Sequence, residues 1–289
     1  MTDAGIRTAN VPDYGPETVA QHTLYGILSL AKHGTEYHHR MITGRDLELG
    51  CSASGEAGWT NESRIPSISL DKCILGIIGY GRIGKKVAHL TRPLFRSIIA
   101  CDPYIDESAF DENTEKADLN TVLNTADFVT LHVPLFTERQ EVYSGYPEYR
   151  SKGTFYEPTY HIINEQTIAR MKNNSFLINT SRGAVVKESA VIPALQSGKL
   201  AGIAFDVFEQ EPLRGKHVLR EIAGTVLPPT HPLRQQGQER YNIVITPHGA
   251  YYTKGILLTI ERLMAEEIIR VLIDNEAPKN LVNPAVLYH

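Results

Sequence analysis

Three polar residues whose types could do chemistry each stand close behind an apolar run of the sequence: Arg182, Glu211 and His248. An arginine can bind a carboxylate through two parallel hydrogen bonds. A histidine can donate a proton, and a neighbouring glutamate stabilises the imidazolium that donates it. Together these types suit hydride transfer to a 2-oxo acid, which needs a cation for the carboxylate and an acid for the developing alkoxide. Taken singly, each is more commonly a surface charge, a solvated turn residue or a hydrogen-bonded core residue.

A glycine-rich turn with an acid downstream is the second chemical feature. The turn Gly79-Tyr80-Gly81-Arg82-Ile83-Gly84 follows an apolar run and precedes a helical pattern. Such glycines let the backbone approach a pyrophosphate, which then sits on the helix N-terminus. Asp102, after the next apolar run, can accept hydrogen bonds from a ribose diol, and its charge disfavours a 2′-phosphate. The pattern predicts NAD in preference to NADP; the alternative is a glycine-lined turn beside a solvated aspartate.

Asp206 is a further anomaly, because it lies inside an apolar run. A buried carboxylate needs a partner to offset its loss of hydration. Two partners are equally compatible with the sequence: the carboxamide of a nicotinamide, or a structural hydrogen bond to the backbone.

The elements that must position these residues alternate between short apolar runs and helix-like segments from residue 73 onward. Runs that are apolar at consecutive positions are typical of strands buried on both faces, as in a parallel sheet covered by helices. Repeated β-α-β units of this kind predict a doubly wound α/β fold of the Rossmann type. The predicted strands are 74–80, 98–101, 128–133, 176–180, 201–208 and 243–246, and the predicted helices are 19–32, 83–95, 164–171, 188–196 (with Pro193 as a kink or a late start) and 256–273.

Composition excludes several classes of protein. The 289 residues are 42% hydrophobic with a formal net charge of −4, which argues against a protein that coats nucleic acid or an anionic membrane. The three cysteines (Cys51, Cys73 and Cys101) are too few for a disulfide scaffold and indicate a reducing compartment. Residues 1–10 lack the apolar run of a signal peptide, so we expect a cytoplasmic protein. The histidines at 33, 38 and 39 lack the spacing of a metal site, and no metal is expected.

A series of motifs, in their order along the chain, resembles the D-isomer-specific 2-hydroxyacid dehydrogenases. The similarity to the C-terminal-binding-protein-like branch of this family comes from Pro12-Asp13-Tyr14, Asp102-Pro103-Tyr104 and Ala250-Tyr251-Tyr252. The motifs shared with the family as a whole are Gly79–Gly84, Cys101-Asp102-Pro103-Tyr104, Leu131-His132-Val133-Pro134, Asn179-Thr180-Ser181-Arg182-Gly183, Phe205-Asp206-Val207-Phe208 with Glu211-Pro212, and Thr246-Pro247-His248.

The resemblance implies an NAD-dependent oxidoreductase that interconverts a small 2-oxo acid and its D-2-hydroxy acid. It makes Arg182, Glu211 and His248 the catalytic set and places Tyr251 near the substrate. It also implies a homodimer, with the helix 19–32 as a candidate subunit face. The residues that it places around NAD are Arg82, Ile83, Asp102, Val133, Pro134, Thr180, Ser181 and Asp206.

The chain departs from the family at its start, because the segment near residue 5 already resembles the crossing between the two family domains. We therefore expect an NAD-binding domain of residues 10–248, with insertions at 140–158 and 213–230. Residues 1–9 and 249–289 would form the remnant of an incomplete substrate domain. The departure leaves an alternative function open, a dimeric scaffold that senses NAD(H) and turns over little or no substrate.

Overall fold

The computed structural model describes residues 8–11, 14–43, 65–141, 155–223, 225–234, 238 and 240–279. Within these residues, seven strands form one sheet in the order β3-β2-β1-β4-β7-β8-β9, and all neighbouring strands are parallel. A separate antiparallel pair consists of β5 and β6. The strands are β1 Ile74–Ile78, β2 Ser97–Cys101, β3 Thr114–Lys116, β4 Phe128–Leu131, β5 Gln140–Glu141, β6 Phe155–Tyr156, β7 Ser175–Asn179, β8 Leu200–Phe205 and β9 Asn242–Ile245.

The strand order is that of a doubly wound sheet. Strands β2 and β3 lie on one side of β1, and β4, β7, β8 and β9 lie on the other, so the order reverses between β1 and β4. Ligands of such sheets bind outside the carboxyl ends of the strands at this switch point. The predicted Rossmann-type α/β fold is therefore confirmed. The division into a domain of residues 10–248 and a remnant of residues 1–9 and 249–289 stays a prediction.

Alternate side chains of the strands belong to two hydrophobic clusters, one on each face of the sheet. In β8, Ile203 and Phe205 belong to one cluster and Ala204 belongs to the other. In β4, Val129 packs in the first cluster and Phe128 in the second. Because both faces are covered, all residues of β8 and β4 are buried, which explains why these strands read as continuous apolar runs.

All five predicted helices are present, four of them with different ends. The pattern also misses the helices Gly34–Thr43, Leu119–Thr125 and Val218–Ala223 and the strand β3. The last two of these helices are short, and β3 is an edge strand with one buried residue. The helices are α1 Pro16–Lys32, α2 Gly34–Thr43, α3 Arg82–Thr91, α4 Leu119–Thr125, α5 Glu165–Arg170, α6 Glu188–Gln196, α7 Val218–Ala223 and α8 Lys254–Leu272.

Helix α6 begins where the periodicity predicts and continues through Pro193, so the alternative of a late start is wrong. Its beginning is fixed by a contact with a distant part of the chain. The carboxylate of Glu209 accepts a hydrogen bond of 2.9 Å from the backbone N–H of Glu188. A carboxylate at this end satisfies a backbone donor that has no partner within the helix.

Helix α1 packs across β7, β8 and β9 and buries its apolar stripe there, including Ile27 and Leu30. The approach is close, because a Cβ added to Gly26 would lie 2.9 Å from the Cβ of Ala204. The apolar face that we considered for a subunit contact is thus buried within the chain. Tyr25 and Leu28 remain exposed on the outside of the helix.

The last helix is different, since none of its residues is buried within the described chain. Apolar side chains on it, including Leu258, Met264 and Ile268, are more than half exposed.

Among the residues described, no helix has the length and apolar character needed to cross a bilayer. In the same residues, no three His, Cys, Asp or Glu side chains are grouped as a metal site, and His33 is buried at the end of α1.

Several sequence predictions fall outside the described residues: Cys51, Pro12-Asp13, and residues 142–154 of the insertion at 140–158. Of the insertion at 213–230, the structure describes α7 and an isolated antiparallel bridge between Val226 and Arg240.

Candidate active site

The glycine turn connects β1 to α3 and needs glycine at both of its ends. Gly79 has a φ of +94°, and a Cβ there would lie 2.6 Å from the carbonyl oxygen of His132. A Cβ on Gly84 would lie 2.1 Å from the carbonyl oxygen of Gly79. Helix α3 begins at Arg82 with Gly81 as its N-cap, so no side chain caps its first turn. The backbone N–H groups of that turn can therefore face a bound anion.

Asp102 follows β2 and is hydrogen-bonded to the backbone on both sides. Its carboxylate accepts hydrogen bonds from the N–H of Tyr80, at 2.9 Å, and of Tyr104, at 3.0 Å. The residue is only 7% exposed, and this burial raises the pKa of its carboxyl above the usual value, against the effect of the two N–H donors. The alternative of a solvated aspartate is therefore wrong. The contact with Tyr80 ties the carboxylate to the glycine turn.

The segment after β4 lies against the same turn. The side chain of Val133 is 2.9 Å from the position that a Cβ on Gly79 would occupy, and Pro134 is exposed beside it. The Nε2 atom of His132 lies 3.0 Å from the hydroxyl of Thr130. Its Nδ1 atom is buried without a hydrogen-bond partner in the described chain. This burial lowers the pKa of His132 to about 3, so the ring is neutral at physiological pH.

The turn after β7 is organised by Asn179, which the sequence analysis did not single out. Its side-chain oxygen accepts hydrogen bonds from the N–H and the hydroxyl of Ser181, and its amide donates to the carbonyl of Arg182. Thr180 is hydrogen-bonded to Thr23 of α1 at 2.9 Å. These contacts fix the backbone that presents Arg182. A polar residue at the end of an apolar run is the signal that could have found Asn179.

Arg182 itself is exposed, and its guanidinium donates a 2.7 Å hydrogen bond to the carbonyl of Ser181. In the described chain it pairs with no carboxylate, so it can accept an anionic ligand. The next residue places this turn against the segment that follows β8. A Cβ on Gly183 would lie 1.7 Å from the carbonyl oxygen of Phe208, so the turns that follow β7 and β8 touch through their backbones.

Glu211 and His248 meet directly, as predicted for the residues after β8 and β9. The Nδ1 atom of His248 lies 2.6 Å from Oε2 of Glu211, whose other oxygen accepts a 2.7 Å hydrogen bond from the N–H of Phe208. His248 has a φ of +52°, and its backbone N–H donates to the carbonyl of Asp206. The ring centre of Tyr251 is 6.2 Å from that of His248, edge-on. Both members of the Glu–His pair keep exposed surface, 31% and 43% of their side chains respectively.

Asp206 is 2% exposed, and its carboxylate accepts several hydrogen bonds. It accepts hydrogen bonds from the hydroxyl of Thr246 at 2.5 Å and from the N–H groups of Gly249 and Ala250 at 2.9 Å. His22 of α1 lies 3.8 Å from the same carboxylate. The structure thus contains the backbone partners that the sequence analysis considered for this residue. A contact with a nicotinamide carboxamide stays a prediction.

A cavity of about 630 Å³ opens beside the Glu–His pair, and both of its members line it. The rest of the wall is mostly apolar, with side chains from the segments after β8 and β9 and the cation Arg220 from α7. An apolar cleft with a few convergent polar groups is typical of a small-molecule site.

The strand order and the glycine turn define the class of protein, a Rossmann-type dinucleotide-binding domain. The Glu–His pair and the cavity beside it lie at the carboxyl ends of its strands. Within that class, the chain belongs to the D-isomer specific 2-hydroxyacid dehydrogenase family. The family's NAD binding domain matches residues 26–144 and 155–250, which confirms the resemblance to the family and the expectation of NAD as its cofactor.

Individual relatives agree with this assignment. The chain is 32% identical to a glyoxylate reductase of Thermofilum pendens over 288 residues, which are 99% of this chain and 70% of that protein. It is 30% identical to a D-lactate dehydrogenase of Treponema pallidum over 250 residues, which are 86% of this chain and 64% of that protein. A structure of D-lactate dehydrogenase from Aquifex aeolicus complexed with NAD and lactic acid, 28% identical, superposes with a TM-score of 0.72 over 98% of this chain and 74% of that one.

Proposed function

We propose that the protein catalyses the NAD-dependent interconversion of a 2-oxo acid and its D-2-hydroxy acid. The observation that carries the proposal is the 2.6 Å contact between His248 and Glu211 in the wall of the cavity. A histidine held by a carboxylate in a ligand-sized cavity is suited to general acid–base chemistry. The relatives support the choice of substrate class, because they include a D-lactate dehydrogenase and a glyoxylate reductase.

The residues of the switch point fit a dinucleotide. The space at Gly79 and Gly84, which a side chain would fill, allows the backbone to approach a pyrophosphate. The carboxylate of Asp102 lies at the end of β2, where an acid can accept hydrogen bonds from a ribose diol. When bound, reduced NAD supplies the hydride. The other residues proposed to surround NAD are Gly81, Arg82, Ile83, Val133, Pro134, Thr180, Ser181 and Asp206.

The proton comes from His248 in this proposal. Because Nδ1 of its ring faces Glu211, Nε2 is left to donate a proton to the carbonyl oxygen of the substrate. Glu211 fixes the ring and stabilises its charged form before the transfer. The guanidinium of Arg182, on the neighbouring turn, binds the substrate carboxylate in a bidentate manner. Tyr251 contributes an aromatic wall beside the imidazole.

Two finer assignments belong to the same proposal. We place the chain in the C-terminal-binding-protein-like branch on the segments named above, and we propose that it forms a homodimer.

The alternative of a scaffold that senses NAD(H) is not favoured, since such a protein does not need the Glu211–His248 pair. Size-exclusion chromatography with and without NADH separates the two: an oligomer that responds to NADH, without reduction of any acid, would favour the scaffold.

The reaction is tested by incubating the purified protein with NADH and a panel of small 2-oxo acids, and following absorbance at the NADH band. The same panel with NADPH tests the role of Asp102, because its carboxylate should disfavour the 2′-phosphate. We expect oxidation of NADH by at least one acid and weaker activity with NADPH. If NADH binds, as shown by fluorescence, but no acid causes its oxidation, the proposed reaction is wrong.

A further inference from the structure

We propose that Arg220 forms a second anion-binding subsite in the cavity beside Glu211 and His248. The preferred substrate would then be a 2-oxo acid that carries another anionic group, a carboxylate or a phosphate, at the end away from its reacting carbon. The inference rests on the proposed function for the reaction itself, and it adds the class of substrate that this chain selects.

The size of the cavity is the first argument. Its volume of about 630 Å³ is well within the roughly 300–1,000 Å³ that is typical of pockets for drug-sized ligands. A small 2-oxo acid such as pyruvate would fill little of it. The wall beyond the Glu–His pair is built from Phe208, Pro212, Leu213 and Ile245, whose apolar surfaces suit the carbon chain of a longer acid.

The charge balance of the cavity is the second argument. Of the charged groups that line it, His248 and Glu211 are paired with each other at 2.6 Å. Arg220 also lines it, and within the described chain its guanidinium pairs with no carboxylate. Its hydrogen bond to the carbonyl of Gly215 is long, at 3.4 Å. An uncompensated guanidinium beside an apolar cleft has the geometry to bind a carboxylate or a phosphate in a bidentate manner.

The helix that carries Arg220 is anchored to the framework of the active site, which is the third argument. Just before α7, His217 pairs with Glu188 of α6 at 3.0 Å, and its ring packs edge-on against Phe208 at 5.4 Å. Leu219, next to the arginine, is completely buried. Glu188 in turn accepts a 2.8 Å hydrogen bond from the N–H of Glu209, in the loop that carries Glu211. The helix that carries the arginine is therefore anchored to the loop of the Glu–His pair, which keeps the base of its side chain beside the cavity.

The test compares substrates that have the same number of carbon atoms and differ in the second anion. One pair is 2-oxoglutarate and 2-oxopentanoate, and the other is 3-phosphonooxypyruvate and 3-hydroxypyruvate. For each acid, kcat/KM is measured with NADH, and binding to the protein saturated with NAD⁺ is measured by calorimetry. The variants are Arg220→Gln and, as a matched control, Arg214→Gln, which removes an exposed arginine of the same segment that does not line the cavity.

We expect the unmodified protein to prefer the acid with the second anion in at least one pair, and the pair that shows the preference identifies carboxylate or phosphate. Arg220→Gln should reduce this preference about tenfold, the typical effect of losing a charge-assisted hydrogen bond, whereas Arg214→Gln should retain it. The subsite is refuted if the unmodified protein shows no preference in either pair, or if both variants keep it equally. Because calorimetry needs no turnover, a preference in binding without NADH oxidation would support the subsite while overturning the proposed reaction.

Discussion

Two carboxylates that follow the same strand have opposite surroundings. Asp206, directly after β8, is 2% exposed and accepts hydrogen bonds from Thr246, Gly249 and Ala250. Glu211, further along the same loop, keeps 31% of its side chain exposed and contacts a titratable imidazole. The apolar run 201–208 predicts Asp206 inside the strand, but β8 ends at Phe205, so both acids follow it. The difference between them lies in what each contacts.

The comparison shows that two different carboxylates position the backbone of His248 and contact its ring. The buried aspartate binds the backbone on the C-terminal side of His248, and its own carbonyl accepts the N–H of that histidine at 2.7 Å. It therefore fixes where the imidazole stands. The exposed glutamate holds the imidazole ring and leaves it open to a ligand. Each role can be removed separately, and the expected effects differ in kind.

The largest effect is expected from His248→Asn, which removes the imidazole that the exposed carboxylate contacts. Loss of a general acid lowers kcat by roughly a hundredfold to ten-thousandfold. Affinity for NADH, measured by fluorescence titration, should stay within twofold. His38→Asn, at an exposed position on α2, is the control. A variant at 248 that keeps more than a third of the activity would exclude a proton-donor role.

Asp206→Ala removes the buried carboxylate of the comparison. We expect the free energy of unfolding to fall by about 3 kcal/mol, since several buried donors lose their acceptor at once. Urea denaturation followed by circular dichroism measures it. Glu211→Ala is the matched comparison and should cost less than Asp206→Ala, because Glu211 and the ring of His248 keep exposed surface. Equal losses in the two variants would mean that burial does not separate the two roles.

His132 extends the comparison from carboxylates to histidines, because burial lowers its pKa to about 3 in the folded protein. The unfolded chain takes up a proton near pH 6.5 and the folded protein does not, so this group removes stability as the pH falls below about 6.5. The loss should be about 1 kcal/mol per pH unit. In His132→Gln this part of the slope should disappear from stability curves measured between pH 7 and 4.5, whereas His38→Gln should retain it. Parallel curves for the protein and the His132 variant would contradict the prediction.

Glu211→Gln sharpens the comparison with the smallest change, since it keeps a hydrogen-bonding side chain and removes only the charge. The neutral side chain can still contact Nδ1 of His248 but loses the charge-assisted hydrogen bond, so kcat/KM should fall about tenfold. Steady-state kinetics with NADH measure this change. Glu221→Gln, on the exposed side of α7, should leave kcat/KM unchanged. If Glu211→Gln also leaves kcat/KM unchanged, the carboxylate does not act through His248.

The fold could be predicted from sequence where burial is complete. Strands such as β4 and β8 are buried on both faces and therefore appear as unbroken apolar runs. The edge strand β3, with the sequence Thr-Glu-Lys, has one buried residue and carries no such signal. Helix α8 has a clear amphipathic pattern and yet no buried residue in the described chain. Periodicity identifies which face is apolar, but it does not identify what that face packs against.

The site could be predicted in part from the order of the strands. Parallel strands end at one edge, so the contact between Glu211 and His248 follows from their positions after β8 and β9. The partners of Asp206 could not be predicted, because two of them are backbone N–H groups more than forty residues away. The role of Asn179 was missed because its partners are set by the local shape of a turn and not by residue type.

The contact at Gly183 bears on how selectivity can change in this protein. With the backbone of the Arg182 turn pressed against that of Phe208, neither turn can shift without pushing the other. Mutations that widen or tilt the cleft at this point would therefore displace the Arg182 turn together with the loop that carries Glu211. Under the proposed function, a new specificity is more accessible to evolution at Arg220 of α7, which lines the cavity outside these two turns.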